Sequence, residues 1–126
     1  MQEKEKICCF SWQMHSWEDG EWKKELFELL GCVMERAILN GVTLFCMDKK
    51  SEYDDFIFTL NALKEKYSYV SFAVTDRKSF RAFLKNANAL IAVWDCTERG
   101  RTHINIRFAE KHDVQIYRLA LPIQSK

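Results

Sequence analysis

Hydrophobic positions along this chain follow two alternating rhythms. Short, largely apolar runs lie at Lys6–Trp12, Val42–Met47, Tyr69–Val74, Ala89–Asp95 and Val114–Leu119. Between them apolar residues recur every three or four positions. The run Ala89-Leu90-Ile91-Ala92-Val93-Trp94 is unbroken and ends at Asp95. A run of this kind, bounded by polar turns, fits a strand buried on both faces, as inside a parallel sheet. The other rhythm predicts helices over Trp17–Asn40, Ser51–Tyr67, Arg77–Asn86 and Thr102–His112. In the first of these, Trp22, Leu26, Leu29, Leu30, Val33 and Ala37 share one face. Asp19 is placed to cap its start, and Gly41 to end it. In the second, Phe56, Leu60 and Leu63 share a face. Ser51 is its best cap, with Glu52, Asp54 and Asp55 in the first turn, where the helix dipole favours acids. The third carries Phe80, Phe83 and Leu84.

Strict alternation of strand and helix predicts one α/β domain spanning residues 1–126, with a five-stranded parallel sheet between two helical layers. The expected strand order is 3-2-1-4-5, with the switch point between the first and fourth strands. Ligands of open α/β sheets bind at the carboxyl edge of such a point, so the loops after those two strands should line one crevice.

Charge and composition narrow the classes without naming a function. Lys and Arg number 19 against 18 Asp and Glu, a formal net charge of +1. That balance gives no reason to expect an extended nucleic acid or a membrane surface as partner. No segment has the roughly 18 consecutive apolar residues of a membrane span. The charged start, Met1–Lys6, does not read as a secretory signal. The five cysteines, Cys8, Cys9, Cys32, Cys46 and Cys96, are odd in number, and most sit in apolar runs. Reduced, buried thiols and a cytoplasmic location are the expectation.

Three loops offer candidate chemistry. In the first, Ser11-Trp12-Gln13-Met14-His15-Ser16-Trp17, hydroxyls, an amide and two indoles suit a nucleotide-like ligand through hydrogen bonds and stacking. The competing reading has Trp12 and Trp17 simply covering the sheet end. No Gly-x-Gly-x-x-Gly or P-loop is present to let backbone approach a phosphate. In the second, Lys49 and Lys50 precede a helix start, which suits an anion, although a solvated charged turn is the favoured reading. The loop after the fourth strand gathers Asp95, Thr97, Glu98, Arg99, Gly100, Arg101 and Thr102. Arg binds phosphate or carboxylate through two parallel hydrogen bonds, so this loop reads as an anion clamp, or else as a cap with surface ion pairs.

Catalytic and metal sets are not expected. The carboxylate pairs Asp95/Glu98 and Glu52/Asp54 are explained equally well by strand-end and helix-start chemistry. His15, His103 and the cysteines lack metal-ligand spacing. Nothing marks Cys96 as a thiol activated by His103. No cofactor is implied.

Several stretches, in order, resemble the SLOG superfamily, the group related to cytokinin-activating nucleosidases. Cys8-Cys9-Phe10-Ser11 resembles its first strand, which typically continues Thr-Gly-His-Arg. Gly41-Val42-Thr43-Leu44-Phe45 resembles its second strand, and Ser51-Glu52-Tyr53-Asp54 its Gly-Glu-Phe-Asp helix opening. Leu63-Lys64-Glu65-Lys66-Tyr67 resembles its Leu-Lys-Glu-Lys-Tyr-Pro stretch. Arg77–Asn88 resembles the segment before its fourth strand. Ala89–Asp95 and Arg99-Gly100-Arg101-Thr102 resemble that strand and its Gly-Gly-Thr turn. The resemblance runs from Lys6 to Leu119. It implies a Rossmann-like fold and the sensing of nucleotide-derived signals, as in bacterial defence, or cleavage of a nucleotide at its glycosidic bond. Trp12-Gln13-Met14 stand where the family has Gly-His-Arg, and Gly100 alone remains of the Gly-Gly turn. Deoxyribosyltransferase-like relatives carry a catalytic Glu three residues after their Gly-Thr pair; here that position is Asn105, and an amide is no nucleophile.

The resulting expectation is a non-catalytic module binding a nucleotide-derived or other anionic small molecule, acting as a sensor or a ligand sponge. Ser11, Trp12, Gln13, Asp95, Thr97, Arg99, Gly100, Arg101 and Thr102 would carry it. A small glycosidic-bond hydrolase using Asp95 or Glu98 is one alternative. A structural or partner-binding domain, its pocket filled by Trp12, Met14 and Trp17, is another. A second apolar stripe on the first helix, Phe27, Leu30, Met34 and Ile38, points either to a homodimer or to a wide core-facing surface.

Overall fold

The computed structural model describes residues 6–13, 21–48, 54–94 and 101–120. Five strands, β1 (Lys6–Gln13), β2 (Val42–Asp48), β3 (Ser71–Thr75), β4 (Ala89–Trp94) and β5 (Gln115–Ala120), alternate with four helices. The helices are α1 (Glu21–Leu39), α2 (Asp54–Lys66), α3 (Arg77–Lys85) and α4 (Arg101–Lys111). All strand pairs are parallel, in the order β3-β2-β1-β4-β5. This is the three-layer, Rossmann-like α/β architecture that the alternation predicts.

Topology fixes which helices share a face. The chain steps from β1 outward to β3 and buries α1 and α2 on one side, since parallel crossovers are right-handed. It then returns past β1 to β4 and β5, and α3 and α4 fall on the other side. Side chains of one strand alternate between these layers. Cys8 and Phe10 of β1 join the α1/α2 core, where Phe10 stacks on Phe56 at 3.9 Å between ring centroids. Cys9 joins Cys46, Leu90 and Ala92 beneath α3 and α4.

The side chains of Trp22 and Phe27, one from each apolar stripe of α1, lie outside the described residues; most of the others form one broad buried surface. Leu26, Leu30, Met34, Ala37 and Ile38 are buried and Val33 packs against them, while Leu29 is 49% exposed. Leu30, Met34 and Ile38 of the second stripe are therefore part of the chain's own core. Leu29 drops out because a helix repeats every 3.6 residues, so it lies at the rim of the stripe.

Helix ends follow local chemistry. Gly41, with φ of +105°, closes α1 as the sequence predicts. A Cβ there would stand 3.1 Å from Lys6 Cδ. Asp76 caps α3 by accepting from the Ser79 amide at 2.8 Å. The start of α2 at Asp54 leaves its predicted cap Ser51, and the Asp19 cap of α1, outside the described residues. Strand and helix bounds otherwise differ from the expected ones by one or two residues, the fraying range of element termini.

Candidate functional site

At the carboxyl edge of the sheet the side chains facing α3 and α4 turn from apolar to polar. Phe10 pairs with Met47, so the next residues along each strand, Ser11 and Asp48, stand at the same level. Asp48 in turn pairs with Thr75. Ser11, Asp48 and Thr75 thus form a row across β1, β2 and β3, one step beyond the Cys9–Cys46 pair. Ser11 is fully buried and Asp48 nearly so.

The first turn of α4 descends onto this row at its β1 end. The Ser11 hydroxyl lies 2.8 Å from Thr102 Oγ1, and the Asn105 side-chain amide donates to Ser11 Oγ at 3.0 Å. Thr102 and Asn105 are one helical turn apart and therefore share a face. Both are buried. Buried polar groups must find partners, and these three find one another. The trio fastens β1, a switch-point strand, to the amino end of α4, at the edge of the sheet where a site is expected.

Below the row, Cys9 and Cys46 are cross-strand neighbours. The Cys9 thiol donates to Cys46, and this contact together with burial pushes Cys9 well up. The same contact, seconded by the Thr75 hydroxyl 3.8 Å from Cys46 Sγ, holds Cys46 below the usual thiol range. Cys8, on the opposite face, is pushed up to about 12 by burial. Cys8, Cys9, Cys32 and Cys46 are all free thiols, and Cys32 is exposed. Among the described residues no group of three or more His, Cys, Asp or Glu could hold a metal ion.

Of the residues predicted for the site, the fold brings Ser11 and Thr102 into direct contact. Trp12 and Gln13 are the last residues of β1, paired with Val93 and Trp94. Arg101 opens α4. Asp95, Thr97, Arg99 and Gly100 lie outside the described residues, as do Glu98 and the loops holding Met14–Trp17 and Lys49–Tyr53. Asn105 and Asp48 were not among the predicted site residues. The signals for both were present: Asn105 lies three residues after Thr102 on a helix, and Asp48 two residues after Cys46 on a strand.

A cavity of about 360 Å³ opens at the opposite, amino edge, lined in part by Lys6, Asn40, Asn88 and Gln115. These four side chains are exposed, which makes it a surface hollow. No helix among the described residues is long and apolar enough to cross a membrane. Neither a protein-family model nor a curated protein sequence matches this chain.

Proposed function

We propose that the chain is a non-catalytic binding module for a small anionic ligand derived from a nucleotide, held at the carboxyl edge between the loops after β1 and β4. The carrying observation is the Ser11–Thr102–Asn105 contact, which sets the first turn of α4 against the end of β1 at the switch point. Free amides at a helix start attract anions, and the sequence supplies two cations at this one, Arg99 and Arg101. Asp48 adds an acceptor at the end of β2, where dinucleotide-binding sheets carry the acid that meets a ribose hydroxyl. That parallel is one of fold only. An amide at position 105 keeps the trio neutral and leaves no carboxylate nucleophile there.

Thermal-shift screening against nucleotides and cyclic or ADP-ribose-derived signals, followed by calorimetry, tests the proposal. The true ligand should raise the melting temperature without being consumed. Arg101→Ala should weaken its binding about tenfold or more, the scale of one charge-assisted hydrogen bond of ~1.5–3 kcal/mol. Unchanged affinity in both Arg99→Ala and Arg101→Ala would place the site elsewhere. Turnover abolished by Asp95→Asn or Glu98→Gln would establish a hydrolase instead.

A structural or partner-binding role is the second reading, favoured by one observation. The trio satisfies itself without a ligand, as a strut between β1 and α4 would. Silence across the whole ligand panel is its expected result.

A further inference from the structure

The formal net charge of +1 averages two unlike helical layers. On one side of the sheet, α3 carries Arg77, Lys78, Arg81 and Lys85 and no acid. Its neighbour α4 carries Arg101, Arg107 and Lys111 against a single acid, Glu110. That acid is itself occupied by Arg118 of β5 at 3.1 Å. On the other side, α1 and α2 together hold seven acids and five bases. Arg77, Lys78, Lys85, Arg107 and Lys111 are all exposed. Arg81 is half-buried, its guanidinium 6.0 Å from the Phe108 ring centroid, and its Nε has no hydrogen-bond partner in the structure.

We propose that the α3/α4 face docks on the phosphodiester backbone of a nucleic-acid duplex, without reading bases. Charge complementarity is the first argument, since a face on which seven bases outnumber Glu110 and the flanking acids Asp76 and Asp113 is the electrostatic footprint of a polyanion site. The apolar positions of the two helices decide which polyanion. Phe80, Leu84, Ile106 and Ala109 are buried against the sheet, so neither helix keeps an apolar face to insert into a lipid surface. Ile104, 40% exposed, is the one large exposed hydrophobic on the two helices among the described residues. An acidic protein partner would want a central cluster of aromatic or apolar anchors, and here Ile104 stands alone among the described residues. Single-stranded nucleic acid would want exposed rings to stack on, and Phe83 and Phe108 are partly buried. Phosphate contacts need only the cations that are present. Docking on this face needs no ligand at the sheet edge, and the local excess of bases, not the near-neutral total that made a nucleic-acid partner unexpected, governs it.

Fluorescence anisotropy of the full chain with labelled 20-base-pair DNA and RNA duplexes tests it. With about four phosphates engaged, log K should fall with log salt at a slope of about −3 to −4, reaching a dissociation constant between about 1 and 100 µM at physiological salt. Two double variants with the same change in net charge separate location from total charge. Lys78→Glu/Arg107→Glu should weaken binding at least tenfold, whereas Arg36→Glu/Lys64→Glu, on the opposite layer, should weaken it less than threefold. Circular dichroism melting confirms that both fold. Equal losses in the two variants, a salt slope shallower than −1, or binding to phosphatidylserine vesicles or polyglutamate but not to duplexes would each overturn the proposal.

Discussion

The side-chain amide of Asn105 donates to the hydroxyl of Ser11 across 3.0 Å, joining two buried residues 94 positions apart. Thr102 completes the contact from the same helix face. Removing the shared member takes from the buried Asn105 amide the acceptor it donates to, which costs more than the bond itself. Ser11→Ala is therefore expected to destabilise the fold by about 1–3 kcal/mol, measured by urea unfolding. Asn105→Asp tests the neutrality of the trio. Burial raises the folded-state pKa of the new carboxyl above its unfolded value of about 3.9. The variant should then approach wild-type stability below that value and lose stability as pH rises through the folded pKa. A pH-independent stability difference would show that position 105 is wetter than the structure indicates.

The contrast between Ala89–Trp94 and the Ser11–Asn105 contact shows what a sequence discloses. Burial on both faces makes β4 unbroken in apolar residues, so element type, sheet order and the switch point are all legible. The trio is not, because each of its members has an ordinary local reason to be where it is. Ser11 ends a strand, Thr102 starts a helix and Asn105 sits in its first turn. Only the parallel pairing of β1 with β4 and the landing of α4 on it bring them together. The same logic explains α1. Its two stripes are both visible in the sequence, but that one belt covers Leu30, Met34 and Ile38 while leaving Leu29 outside depends on how α2 lies alongside.

Two glycines respond in opposite directions to a methyl group. Gly31 lies inside α1, where glycine costs about 0.5–1 kcal/mol relative to alanine. A Cβ there would rest 3.7 Å from Thr59 Cγ2 of α2, an ordinary contact. Gly31→Ala should stabilise by about that amount. At Gly41 the positive φ and the 3.1 Å approach to Lys6 Cδ both oppose a side chain. Gly41→Ala should destabilise by about 1–2 kcal/mol, the cost of a left-handed residue with a Cβ. Thermal melts of the two variants should move apart from the wild type.

The thiols divide by access. Iodoacetamide at pH 8, with peptide mapping by mass spectrometry, should label exposed Cys32 rapidly in the native protein. Cys8 is buried and its thiol is pushed up to about 12, so almost none of it is thiolate at that pH. Cys9 is protected on the same two grounds. Cys46 is held toward the thiolate but has no exposed surface, so its labelling should wait for unfolding. Native labelling of Cys46 at a rate near that of Cys32 would reveal an opening of the sheet edge beneath Asp48 and Thr75.

Glu35 of α1 provides a pH-dependent tie to the end of α2. It accepts from Lys66 Nζ at 2.9 Å and from the Tyr67 hydroxyl at 2.8 Å. The Lys66 contact first and the Tyr67 contact second hold its carboxyl below the usual range. A carboxylate whose folded pKa is depressed contributes stability above its unfolded pKa and loses it as pH falls through the folded value. The tie should therefore be intact at neutral pH and vanish under acid conditions, below the ordinary carboxylate pKa. Tyr67 is reciprocally raised, chiefly by donating to Glu35. Tyr67→Phe removes one of the two donors and should move the Glu35 titration, followed by carboxyl NMR, upward toward 4.5. Lys66→Met should move it further, since that contact is the larger cause. The effect on global stability should stay small, because the pair is exposed and solvent screens it. A Glu35 titration unmoved by either substitution would mean that α1 and the end of α2 are not held together by this carboxylate in solution.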